Sequence, residues 1–252
     1  MKQLQNKIAL VTGGNSGIGL ATAKLFQAQG AKVIITARSN ETFALAKKEL
    51  GDIFHVIQAD VSKVSEIKNL MSTIKKEYGH LDVIFANAGI SHIKSVADFD
   101  ETTYDLLFDT NVKGIYYTIQ QAAELLKDGS SVIINASAAA GMGFFGGSVY
   151  GATKAALNAF ARNFAAEYAP RRIRFNTISP SLIDSPIQNK PGIDAATLKA
   201  IQESSNKNPA GRIGTMDEVA QSVLFLASQN SSYVNGIELL IDGGGRAAPI
   251  GV

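Results

Sequence analysis

Short, continuously apolar runs alternate with amphipathic stretches along almost the whole chain. Residues 8–12, 32–36, 54–58, 83–86, 131–135, 173–178 and 237–241 read as strands. Residues 17–29, 41–50, 63–78, 103–127, 149–168 and 216–227 carry the longer periodicity of helices. Gly30, Gly51 and Gly79 stand directly after the first three helices, and Pro170 follows the fifth, as stop signals. Strands apolar on every position belong in a sheet covered on both faces. Strict β-α alternation then predicts an α/β, Rossmann-like, doubly wound and mainly parallel sheet with right-handed crossovers. No Pro- or Ser-rich linker interrupts the pattern, so residues 1–252 are expected to form one domain. Residues 185–211, rich in Pro, Asn, Ser and Lys, are too long for an ordinary connection. They leave the carboxyl end of the sixth strand, where open α/β sheets bind ligands, and are expected to form a lid with a short helix at 195–204.

Composition narrows the function by exclusion. The chain has 252 residues, 46% of them apolar, a net charge of +2 and no cysteine. Disulfides, thiolate metal sites and cysteine nucleophiles are therefore ruled out. Its three histidines are scattered, which gives no metal-binding or histidine-based pattern. The basic pairs Lys75-Lys76 and Arg171-Arg172 are too small for a nucleic-acid surface. Neither a membrane span nor a signal peptide is legible, so a cytoplasmic, non-membrane protein is expected.

Two stretches carry candidate chemistry. Between the first strand and first helix lies Thr12-Gly13-Gly14-Asn15-Ser16-Gly17-Ile18-Gly19. Glycines there let the backbone turn tightly and approach a pyrophosphate at the helix N-terminus. The second strand runs into Ala37-Arg38-Ser39 with no carboxylate. An acidic residue there would hold a ribose 2′-hydroxyl, whereas Arg38 can pair with a 2′-phosphate, helped by Ser39. Further on, Tyr150 and Lys154 sit at i and i+4, one helical turn apart, with Ser137 thirteen positions before the tyrosine. An ammonium that close to a phenol should favour the phenolate and tune a general acid/base.

Glycine loop, Ser137, Tyr150 and Lys154 together resemble the short-chain dehydrogenase/reductase family, over almost the whole chain. Asn87-Ala88-Gly89, Asp60-Val61, Asn111, Asn176 to Pro180 and Asp242-Gly243-Gly244 match further landmarks of that family. The resemblance implies a strand order 3-2-1-4-5-6-7 and a homotetramer. It also implies hydride transfer with NADP(H), closest to alcohol dehydrogenases and carbonyl reductases that accept bulky ketones. Tyr150 becomes the acid/base, and Lys154 lowers its pKa and bonds the nicotinamide ribose. Ser137 polarises the substrate oxygen, and Asn111 holds a relay water. Gly13, Asn15, Ser16, Gly17, Ile18, Gly19, Arg38, Ser39, Asp60, Val61, Asn87, Ala88, Gly89, Tyr150, Lys154, Pro180, Ile183 and Ser185 would form the cofactor site. Asp60 could instead cap a helix, and Asn87 could simply tie strands together. The family usually has glycine where Ser181 stands and a second serine near Ser137, where this chain has alanines. Two rival functions remain: a 3-oxoacyl-thioester reductase and a non-catalytic dinucleotide sensor.

Overall fold

The computed structural model describes residues 2–184 and 208–247. Its frame is a seven-stranded sheet, parallel throughout, in the order β3-β2-β1-β4-β5-β6-β9. The strands are β1 (Ile8–Val11), β2 (Lys32–Ala37), β3 (His55–Gln58), β4 (Leu81–Ala86), β5 (Leu126–Asn135), β6 (Arg174–Pro180) and β9 (Glu238–Ile241). A small parallel pair, β7 (Ile183–Asp184) and β8 (Gly214–Thr215), lies apart from it. The predicted order is therefore observed, with β9 as the seventh strand of the main sheet.

Side chains alternate across this sheet and build one core on each face. Leu10, Ile34, Ile84, Val132 and Ile134 point to one side. There they meet α3 (Val64–Tyr78), α5 (Gly114–Ala122) and α6 (Ser148–Glu167) through Ile67, Ile74, Ile119, Leu157 and Phe164. Their chain neighbours Ala9, Val11, Val33, Ile35, Val83, Phe85 and Ile133 point to the other side. They meet α1 (Gly17–Ala28), α2 (Asn40–Leu50) and α7 (Met216–Ala227) through Ala23, Phe26, Ala46, Val219 and Val223. Continuous apolar strands were the signature of exactly that double burial in kind, not in boundary.

The long helix expected at 103–127 is broken instead. Helix α4 spans Glu101–Phe108, a π-helical turn spans Asp109–Lys113, and α5 ends at Ala122. The Gly114 N–H reaches back five residues to Asp109 O, which widens the coil. Two contacts hold it there. The amide of Asn111 bonds both main-chain groups of Ile90, and α5 presses so closely on the sheet exit that a Cβ on Gly114 would lie 2.7 Å from Val61 O. Leu125 and Leu126, which prolong the helical periodicity, are buried as the lead-in to β5, where Leu126 pairs with Leu81. Glycine stops also differ in kind. Gly79 ends α3 in the left-handed region at φ +77, whereas Gly51 stays right-handed at φ −63. The helix expected at 195–204 and most of the lid lie outside the described residues.

Candidate active site

Strand order reverses between β1 and β4, and a cleft of about 590 Å³ opens there, beyond the carboxyl ends of the strands. The glycine loop forms one wall. Gly13 (φ +63) and Gly17 (φ +55) adopt left-handed conformations that favour glycine. A Cβ on Gly17 would meet nothing within 4 Å, so this backbone faces open space. Gly13, Asn15, Ser16, Gly17 and Ile18 all line the cleft. Gly19 does not. Its Cβ would overlap Gly13 O and lie 2.7 Å from Asn87 Nδ2, so its glycine serves close packing of α1 on the loop.

Asn87 shows the strand-tying role directly. Its amide donates to Thr12 O (3.0 Å) and Gly13 O (3.3 Å) and accepts from Asn135 Nδ2 (2.9 Å). The Thr12 hydroxyl accepts from the main-chain N–H groups of Asn87 (2.9 Å) and Ala88 (3.0 Å). Asn87, Ala88 and Gly89 nevertheless all line the cleft. Asp60 and Val61 line it too, and one Asp60 oxygen caps the turn into α3, accepting from Ser62 N and Oγ at 3.0 and 2.8 Å. Exposed Arg38 stands at the far end, and among the described residues its guanidinium has no ion pair or hydrogen bond. Ser39 is committed elsewhere. It forms a reciprocal capping box with Thr42 at the start of α2, and Thr42 rather than Ser39 lines the cleft. Pro180 and Ile183 line the opposite wall, while Ser185 lies outside the described residues.

The reactive groups gather at the near end. Ser137 follows β5, and α6 presents Tyr150 and Lys154 one turn apart. The Ser137 hydroxyl accepts from Ala139 N (3.2 Å), lies 3.5 Å from Pro180 O and is near enough to the Tyr150 phenol to lower its pKa. Lys154 is buried and donates to Asn135 O at 2.8 Å. Its ammonium lies 5.9 Å from the centroid of the Tyr150 ring. Asn111 does not line the cleft. It sits behind it, its amide shared between Ile90 and Thr153 Oγ1 (3.2 Å), and Thr153 in turn bonds Tyr150 O at 2.7 Å. Any relay through Asn111 must therefore use its main chain, in the π-helical turn.

Electrostatics differ from the simple expectation. Burial pushes the Tyr150 phenol up, and the contact that lowers it is the Ser137 hydrogen bond, not Lys154. Desolvation pulls Lys154 down to about 8. The sequence spacing could not reveal that the ammonium is spent on a strand-end carbonyl. Asn135 is the residue that sequence reading missed. It holds Lys154 through its main chain and Asn87 through its side chain, while its own buried Oδ1 has no partner among the described residues. Its position two residues before Ser137 was the available signal.

The family model described as enoyl-(acyl carrier protein) reductase matches residues 13–245. Oxidoreductase asL5 of Sarocladium schorii is 35% identical over 97% of both chains. The 3-oxoacyl-[acyl-carrier-protein] reductase FabG of Thermotoga maritima is 34% identical over 96% of this chain and 98% of that one. A solved structure described as a short chain dehydrogenase/reductase family protein superposes with a TM-score of 0.84 at 37% identity, covering 98% of this chain and 100% of that one. The chain belongs to the short-chain dehydrogenase/reductase family. It is an oxidoreductase, and members of this family use a nicotinamide dinucleotide. The cleft fits such a group. Left-handed glycines leave its phosphate end open, a helix N-terminus faces it, and an unpartnered buried acceptor, Asn135 Oδ1, stands near its inner end. Among the described residues of this short-chain dehydrogenase/reductase no cluster could hold a metal, and no helix is long and apolar enough to cross a membrane.

Burying Lys154 carries a stability consequence. Its folded pKa lies below its unfolded value, so the unfolded chain binds more protons between about pH 8 and 10.4. The penalty is full below that window and fades as pH rises through it. It amounts to something on the order of 3 kcal/mol at neutral pH. Lys154→Met should abolish turnover yet raise the denaturation midpoint at pH 7. Its advantage over the parent should shrink by pH 10, measured by urea titration at both pH values. A variant less stable at pH 7 would overturn this account.

Proposed function

We propose that this protein is an NADPH-dependent carbonyl reductase, reversible as a secondary alcohol dehydrogenase. The observation that carries the proposal is one cleft with a glycine phosphate cradle and Arg38 at one end and Ser137, Tyr150 and Lys154 at the other. Held in this cleft, a nicotinamide dinucleotide would supply the hydride. The chain's own residues handle the oxygen. Ser137 and Tyr150 converge on it, and the phenol, kept protonated by burial, gives it a proton as negative charge develops. In the reverse direction the phenolate takes the alcohol proton and becomes the phenol, and the Ser137 bond, which lowers the phenol's pKa, eases formation of that phenolate. Lys154, held on Asn135 O, keeps a cation beneath the ring. Gly13 to Ile18, Asp60, Val61, Asn87 to Gly89, Pro180 and Ile183 are assigned to holding the dinucleotide.

Apart from Lys154, the side chains lining the reactive end are uncharged: Ile90, Ser91, Ala136, Leu182 and Ile183. That lining suits a neutral ketone or aldehyde. A 3-oxoacyl thioester remains the competing substrate, favoured by the description of the family model and by the FabG relative. The oligomer is assigned as a homotetramer, supported by exposed Tyr104, Leu106 and Tyr116 on α4 and α5.

The Tyr150→Phe variant should lose turnover by at least about 100-fold while binding NADPH as tightly as the parent. Substantial residual turnover across a panel of small ketones, bulky ketones and 3-oxoacyl thioesters would refute the acid/base role. The same panel, run with the parent, separates the two substrate classes. Light scattering of that sample tests the tetramer, and a monomer would refute it. Arg38→Ala should weaken NADPH binding by about 10- to 100-fold, as loss of a charge-assisted bond demands, and leave NADH binding little changed. Equal losses for both cofactors, read by fluorescence titration, would assign Arg38 no part in the preference.

A further inference from the structure

The carboxyl-terminal tail reaches back to the segment that carries Ser137. Strand β9 is followed by Asp242, whose carboxylate accepts from Gly244 N (3.0 Å) and Arg246 N (2.9 Å). Gly243 and Gly244 take left-handed conformations in this turn, at φ +61 and +86. The turn fixes where Arg246 leaves the backbone. From there its guanidinium pairs with Glu238 Oε1 at 3.0 Å, and the same carboxylate oxygen accepts from buried Ser179 Oγ at 2.7 Å. Ser179 is the residue before Pro180, whose carbonyl faces the Ser137 hydroxyl. The guanidinium also packs against Gly141, so closely that a Cβ there would overlap it. Gly141 is the last residue of the 3₁₀ turn Ala138–Gly141, and Ser137 is the cap of that turn. Two arms therefore run from Arg246 to Ser137. One passes through Gly141 and the turn, and the other through Glu238, Ser179 and Pro180.

We infer that Arg246 is a positioning residue, which with Glu238 clamps the Ser137 turn and sets the serine hydroxyl against the reacting oxygen. This rests on the reading of Ser137 and Tyr150 as the groups that work on that oxygen. The paired side chains keep about a quarter of their surface in water, 24% and 25%, and neither belongs to the two apolar cores, so the clamp's role lies in placement. Gly141 is its necessary counterpart, because any side chain at that position evicts the guanidinium.

The test compares Arg246→Ala, Gly141→Ala, their double variant and Ser137→Ala, each with the full chain. Arg246→Ala should lower kcat about tenfold or more, as small misplacement at a reacting group does. NADPH affinity and the thermal midpoint should stay near the parent's. In alcohol oxidation the pH at which the rate reaches half its maximum should move upward, in the same direction as in Ser137→Ala, because the displaced serine no longer favours the phenolate. Gly141→Ala should reproduce both effects, and the double variant should be no worse than either single one. If Arg246→Ala does not fold, Glu238→Gln releases the same guanidinium and gives the same readouts. Parent-like kcat and pH profile in Arg246→Ala, with Ser137→Ala impaired, would overturn the clamp alone. Additive losses in the double variant would do the same. A silent Ser137→Ala would overturn the reading of the serine, and the clamp with it.

Discussion

Everything at the cleft depends on one chain of hydrogen bonds across the ends of three strands. Asn135 on β5 bonds Asn87 beyond β4, which bonds the carbonyls of Thr12 and Gly13 beyond β1. Strand ends normally splay where the sheet twists and pairing stops. Here side-chain amides continue the ladder past that point. The glycine loop, the β4 exit and the base of the reactive lysine thus share one rigid support. Lys154 joins it through Asn135 O, so the position of the cation is tied to the position of the glycine loop.

The same support explains the opposed electrostatics of the tyrosine and lysine. Both groups sit where protein displaces water, and desolvation favours the neutral form of each. The phenol holds its proton more tightly and the ammonium holds its proton less tightly. The two pKa values therefore move apart, and both shifts favour the uncharged pair of phenol and amine. Ser137 then acts as the adjustable contact, since it is the neighbour that draws the phenol back down.

Much of this was legible in the sequence because it rests on local signals. Strand apolarity identified the covered sheet, and the glycine loop, Gly13 to Gly19, and the helical pair Tyr150 and Lys154 declare themselves by spacing. What escaped was set by tertiary contact. Leu125 and Leu126 keep helical periodicity but are claimed by β5, and only the Leu81 pairing shows it. Ser39 is expected at the cofactor from its place after β2, and the fold adds that its hydroxyl caps α2. For Asn135 the sequence offers only its place two residues before Ser137, and its two partners come into view only with the fold. Arg246, more than a hundred residues from Gly141, could not be connected to Ser137 without the fold.

The π-helical turn at Asp109–Lys113 has a consequence for how this chain can change over time. A π turn carries one residue more than the α-helix it interrupts. Losing that residue would let the coil close to an ordinary α turn, in which four residues sweep about as far as five do here, so the helix beyond it would keep its phase. Ile115, Ile119 and Ala122 would stay on the sheet they now cover, whereas Asn111 would lose the widened turn from which its amide reaches Ile90. The extra residue therefore serves the placement of Asn111 and not the packing of α5.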